Sequence, residues 1–291
     1  MKLAAFCYKE QRSIGLVNTN RNEISRFDIN MEYAKNGVQY ILDLMSNGID
    51  LPPIAEIIPL NQVTLEAPFP RPRRNIFCAG KNYLDHVKEV AKSGLGSGPT
   101  SGNDAPAYPI IFTKVPESVI GANRKILRHA GLTSHLDYEA ELAVVIGKEG
   151  RGIRREEAMD YVWGYTIIND VSARDLQKKH QQWLIAKSLD TFCPMGPWVV
   201  SKDELDGNNT AIKCWVNGEL RQNSSTAQFI FDIPRLIESL SAGITLYPGD
   251  IIATGTPSGV GMGFNPPRFL NSGDTVKIEI AGIGTLENIV E

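Results

Sequence analysis

Apolar and polar positions alternate around Ile14-Gly-Leu-Val and again from Ile24 to Phe27, which predicts short strands near the start of the chain. The spacing of Val38, Ile41, Leu42 and Leu44 then predicts one amphipathic helix. Pro68, Pro70 and Pro72, mixed with Arg71, Arg73 and Arg74, oppose helix and remove ladder donors, so this stretch reads as an extended connector. Residues 1–68 are therefore expected to form a small N-terminal α/β lobe, and residues 69–291 the main domain.

Past the connector, Asn75 to Ala79 predicts a buried strand and Leu84 to Lys92 a short helix. Ser93 to Ala107, rich in Gly, Ser and Pro, predicts a loop that is either a lid or a plain surface insertion. Further strands are expected at Ile110 to Thr113, Glu139 to Ile146, Tyr165 to Asn169, Trp198 to Ser201, Ile212 to Val216, Asp250 to Thr254 and Thr275 to Ile280. Helices are fewer: one opening at Arg155 to Ala158, one from Ser172 to Gln182, and one from Ile233 to Ser241. Many strands with few helices between them predict an α+β, β-dominated roll or sandwich rather than a doubly wound sheet.

Within the Glu139 to Ile146 strand, Tyr138, Ala140, Leu142 and Val144 fall on one face and Glu139 and Glu141 on the other. Two carboxylates one pleat apart repel each other and are costly to bury unless a cation neutralises them. Asp170 ends the apolar run Tyr165-Thr-Ile-Ile-Asn, where an emerging strand would present it at a cleft. Three such oxygens suit a hard divalent ion and leave room for water or a chelating substrate. Without Asp170, the spacing of Glu139 and Glu141 reads first as a solvated strand face.

The helix carries His86 and Glu89 at i, i+3, placed so that the carboxylate can orient the imidazole of a general base. A surface histidine beside a chance glutamate has the same spacing. Lys187 follows Leu184-Ile-Ala and is a candidate to face a developing oxyanion, or an ordinary solvated lysine. Arg174 and Gln177 share a helix face and can hold a carboxylate, although Arg174 could instead pair with Asp175 or Glu157. Gly255-Thr-Pro-Ser-Gly-Val-Gly supplies a tight turn with Thr256 and backbone N–H groups, and matches neither a phosphate-binding loop nor a nucleophile elbow. His129, His135 and His180 have no paired spacing and receive no role.

Composition narrows the class. A net charge of −3 drawn from 33 acidic and 30 basic residues of mixed order predicts no nucleic-acid partner and no membrane surface. The apolar run Met1 to Tyr8 is too short for a signal segment, so a cytosolic location is expected. Cys7, Cys78, Cys193 and Cys214 lack metal spacing and read as reduced thiols.

Six ordered segments together resemble the fumarylacetoacetate hydrolase superfamily over roughly residues 70 to 291. They are Gly80-Lys-Asn-Tyr-Leu-Asp-His, Phe112-Thr-Lys, Asp137-Tyr-Glu-Ala-Glu-Leu, Gly164 through Gln177, Lys187-Ser-Leu-Asp-Thr, and Gly255-Thr-Pro-Ser-Gly-Val-Gly. The resemblance implies a mixed β-sandwich roll, a homodimer, and Mg2+ or Mn2+ held by Glu139, Glu141 and Asp170. It also implies His86, Glu89 and Lys187 as catalytic groups, with Lys81, Tyr83, Arg174, Gln177 and Thr256 holding a small 2-oxo acid substrate. The activity this leads one to expect is cleavage of a carbon–carbon bond in a 2-oxo or 2,4-dioxo acid, as an acylpyruvate hydrolase or oxaloacetate decarboxylase. Two alternatives stand beside it: an isomerase of a 2-hydroxy-dienedioate working through the same enolate, and a non-catalytic metal-binding scaffold.

Overall fold

The structure is a computed structural model that describes residues 1–94 and 105–291. Of the predicted loop Ser93 to Ala107, residues 95–104 lie outside the described residues, and so does the lid reading that rested on them.

Among the described residues the main element is a twelve-stranded mixed sheet. Its central path runs Ile54–Pro59, Glu23–Phe27, Gln11–Asn18, Lys2–Tyr8, Cys193–Ser201, Val162–Asn169, Ala140–Ile146, Ile251–Ala253, Ile76–Gly80 and Ile110–Lys114. The N-terminal strands belong to this same sheet, because Leu3 pairs with Val199 and Lys2 with Val200. A second sheet of five strands is ordered Glu219–Ser225, Ala211–Val216, Thr275–Ile280, Gly284–Val290 and Lys125–Ile126.

The strand Ala140–Ile146 is buried on both faces, which is why it reads as an almost unbroken apolar run. Tyr138, Ala140, Leu142 and Val144 pack into one core with Ile212, Val276 and Ile278 of the second sheet and with Leu236, Ile237 and Leu240 of the helix Ile233–Ser241. Ala143 and Val145, on the opposite face, join Ile41 and Leu42 of the helix Val38–Ser46. Each such fully buried aliphatic side chain contributes about 1.5–3 kcal/mol, so the strand that carries the two glutamates is held at a fixed depth from both sides.

Several predicted elements differ in extent. The helix expected over Ser172 to Gln182 starts at Arg174 and ends at His180, because Ser172–Ala173 instead pairs with Leu136–Asp137. The segment opening at Arg155 is a short 3-10 turn, Arg155–Tyr161, that buries Ala158 and has no apolar stripe to extend it. The strand expected at Trp198 begins at Cys193, its first half obscured in the sequence by Pro194 and Pro197. A helical turn at Leu184–Lys187 and the strands Glu219–Ser225 and Gly284–Val290 carried too little periodicity to be predicted.

Candidate active site

The carboxylate cluster forms where two neighbouring strands end together. Ala140 pairs with Asn169, the Asn169 Oδ1 accepts the Glu139 N–H at 3.0 Å, and the Asp170 N–H donates to the Glu139 carbonyl at 2.8 Å. Register therefore brings Asp170 beside the glutamates. One carboxylate oxygen from each of Glu139, Glu141 and Asp170 lies within 4.8 Å of the others, and all three residues are buried.

The protein's own cations also reach this cluster. Lys187 Nζ donates to Glu139 Oε2 at 2.6 Å and to Asp170 Oδ2 at 2.8 Å. Lys114 Nζ donates to Asp170 Oδ1 at 2.6 Å, to the Val171 carbonyl at 3.2 Å and to the Lys187 carbonyl. Arg174 pairs through Nε with Asp137 Oδ2 at 2.9 Å and through Nη2 with Glu139 Oε1 at 2.7 Å, so its partners are neither Asp175 nor Glu157. Glu139 thus carries two cationic contacts from the protein itself, whereas Glu141 accepts the neutral Gly255 N–H at 2.9 Å.

Charge is distributed unevenly across the cluster. Burial alone pushes the Glu139 carboxyl up, but Lys187 and Arg174 outweigh it and hold the group well below its ordinary range. Burial pushes Glu141 well up, and the charges of Asp170 and Glu139 add to that, so Glu141 is the member that most needs a further cation. An all-oxygen donor set with one uncompensated carboxylate fits a hard divalent ion, and Glu139, Glu141 and Asp170 are the residues that would hold it.

A cleft opens over the cluster and is walled by Lys81, His86, Arg174, Gln177, Lys187 and Thr256, with Phe112, Trp183, Val90 and Met262 on its apolar side. His86 Nδ1 meets Glu89 Oε2 at 3.0 Å, which leaves Nε2 as the ring nitrogen available for proton exchange. Burial pulls the Lys81 ammonium down from its ordinary value. Thr256 Oγ1 accepts from Gln222 Nε2 at 2.7 Å. Tyr83 does not line the cleft; it packs edge-on against Phe229, and its buried hydroxyl has no hydrogen-bond partner among the described residues.

Lys114 and Asp137 were not singled out from the sequence. Lys114 ends the apolar strand Ile110–Lys114 much as Asp170 follows its own strand, and it closes the segment Phe112-Thr-Lys of the family resemblance, so two signals pointed to it. Asp137 sits in the glutamate motif, but beyond the adjacent Tyr138 N–H at 2.9 Å its contacts are long-range: Arg174 Nε, and the N–H groups of Gly261 at 2.7 Å and Met262 at 3.0 Å.

Comparison with known proteins identifies the family. The family described as "Fumarylacetoacetate (FAA) hydrolase C-terminal" matches residues 75–291. Among curated proteins, the "Oxaloacetate tautomerase YisK" of Bacillus subtilis (strain 168) is 54% identical over 230 residues, which span 79% of this chain and 73% of that one. Among solved structures, a "Fumarylacetoacetate hydrolase (EaFAH)" of Exiguobacterium antarcticum superposes with a TM-score of 0.84 at 40% identity, covering 100% of this chain and 99% of that one. A "5-carboxymethyl-2-hydroxymuconate delta-isomerase" of Mycobacterium smegmatis gives a TM-score of 0.78 at 34% identity, with 100% and 99% covered. With the matched span covering residues 75–291 and the fold shared along the whole chain, the chain belongs to the fumarylacetoacetate hydrolase family.

Proposed function

We propose that this enzyme enolises a small 2-oxo diacid, with oxaloacetate the leading candidate, by moving a proton between C3 and the 2-oxygen. The observation that carries this reading is the meeting, in one small cleft, of the carboxylate cluster, the His86–Glu89 pair and the cationic side chains of Lys81 and Arg174. The 54% identity to a protein named an oxaloacetate tautomerase supports the same substrate class.

The roles follow from the side chains. Lys81, Arg174, Gln177 and Thr256 face the cleft and are placed to hold substrate carboxylates. His86, oriented by Glu89, exchanges the C3 proton through Nε2. Lys187, held between Glu139 and Asp170, keeps positive charge beside the oxygen that becomes anionic. Mg2+ or Mn2+ bound by Glu139, Glu141 and Asp170 would supply Lewis-acid polarisation of the 2-oxo group.

A second reading, cleavage of a carbon–carbon bond by hydrolysis or decarboxylation, draws support from the same His86–Glu89 hydrogen bond, because a histidine backed by a carboxylate is suited to activating water. The two readings separate in one assay. Oxaloacetate and acetylpyruvate are each followed by enol absorbance and by pyruvate release, with added Mg2+ or Mn2+ and after chelation. A change in enol absorbance without pyruvate, a rise from the keto form or a fall from the enol form, supports proton transfer between C3 and the 2-oxygen, and pyruvate release supports cleavage. Turnover indifferent to chelation, or none on any 2-oxo acid, sinks both, and tight Mn2+ binding without turnover leaves the non-catalytic scaffold.

A further inference from the structure

We infer that the loop Gly255–Gly263 sets the spacing between the carboxylate cluster and the His86–Glu89 pair, and that Gly263 is a positioning residue for Glu89. The loop's backbone N–H groups bind three different carboxylates. Gly255 donates to Glu141 Oε2 at 2.9 Å, Gly259 donates to Glu89 Oε1 at 2.8 Å, and Gly261 and Met262 donate to Asp137 at 2.7 and 3.0 Å. Asp137 holds Arg174, which in turn pairs with Glu139. One short segment thereby touches both ends of the site: a cluster member directly, a second through Arg174, and the histidine's carboxylate partner.

The helix Leu84–Ser93 has its root tied to the same segment. Asn82 Nδ2 donates to the Thr254 carbonyl at 2.8 Å, one residue before the loop begins. Both ends of the connection are thus fixed by hydrogen bonds, which is the condition for a reproducible distance between two groups.

Gly263 is required by space. A Cβ there would collide with Oε1, Cδ and Cγ of Glu89, while its own backbone needs no left-handed conformation. Alanine can adopt that backbone, so Gly263→Ala sets its methyl against the Glu89 carboxylate specifically. Gly259 is a poorer probe, because its φ of +105° and its closeness to the Arg221 carbonyl would strain any replacement.

The kinetic arm of the test rests on the proposed function, and a spectroscopic arm does not. Gly263→Ala, Glu89→Gln, their combination, and Gly263→Ala with Glu89→Asp are compared with the parent. The expected result for Gly263→Ala is a fall in kcat of about 10- to 100-fold, with KM and the Mn2+ dissociation constant each within about two-fold of the parent. Adding Gly263→Ala to Glu89→Gln should cost nothing more, because both act through one carboxylate, and Glu89→Asp, by shortening that side chain, should recover part of the loss. Additive losses, an unchanged kcat, or Mn2+ affinity falling together with kcat would overturn the inference. Should the parent turn over no 2-oxo acid, nitrogen-15 labelling of the four histidines reads the His86 Nδ1 signal directly. A shift confined to His86 in Gly263→Ala upholds the positioning role, and an unmoved His86 signal refutes it.

Discussion

Lys187 donates from Nζ to Glu139 Oε2 at 2.6 Å, so a resident ammonium engages a carboxylate that is also a candidate metal ligand. Both residues are buried, and the ammonium bridges on to Asp170. Burial lowers the Lys187 pKa, but the charges of Asp170 and Glu139 more than offset it and leave the group raised, so it stays protonated. The cluster therefore carries permanent positive charge of its own, and a bound ion adds to that charge.

Lys187→Met should destabilise the metal-free protein by about 3–5 kcal/mol, because it leaves buried Glu139 and Asp170 short of a partner. Added Mn2+ should recover more stability in the variant than in the parent, since the ion then replaces the missing charge. Thermal unfolding with and without Mn2+ measures both. Equal Mn2+ shifts in the two proteins would show that ion and ammonium do not substitute for each other.

The raised Glu141 pKa sets a pH dependence. A carboxyl whose folded pKa lies above its ordinary value of 4.5 contributes stability that is present below 4.5 and lost as pH rises through the folded pKa. Metal-free protein should lose this contribution on the way up in pH, and Glu141→Gln, which stays neutral and can still accept the Gly255 N–H, should remove the loss while abolishing metal binding. Denaturation across pH on the two metal-free proteins is the check, and parallel curves would contradict the assignment.

His86→Asn and Glu89→Gln separate the two proposed reactions. If His86 moves the C3 proton, His86→Asn should lower enolisation by about 10²- to 10⁴-fold. Glu89→Gln should act most strongly on acylpyruvate hydrolysis, where water must be activated. Progress curves for both substrates decide it, and full activity in His86→Asn would remove the histidine from the reaction.

Asp137→Ala should cost about 3–5 kcal/mol, since it strips a buried arginine of one of its two carboxylate partners and leaves the Gly261 and Met262 N–H groups unbound. Because Arg174 also pairs with Glu139, affinity for oxalate as a substrate mimic should fall as well. Chemical denaturation and calorimetry report the two effects, and a loss of stability with unchanged oxalate affinity would confine Asp137 to the scaffold.

Much of the site was legible before any coordinates because strand periodicity is local. Alternation alone placed Glu139 and Glu141 on the face opposite Tyr138, Ala140, Leu142 and Val144, and those four indeed share one core. The i, i+3 spacing of His86 and Glu89 predicted a contact that is formed at 3.0 Å. The gaps in the fold reading have local causes too: Pro194 and Pro197 masked half a strand, and polar Glu219–Ser225 carried no apolar rhythm.

By itself the sequence determined which residues share a face and which chemical groups are present, because a side chain's direction along a strand or helix follows from its neighbours. Only the tertiary structure decided the charge balance. Lys114 meets Asp170 across 56 positions, Lys187 meets Glu139 across 48, and the Gly255 and Gly259 N–H groups reach carboxylates 114 and 170 positions away. Such pairings depend on strand order and register across the whole sheet, and burial then makes each one decisive, since a charge removed from water must find a partner wherever the fold supplies it.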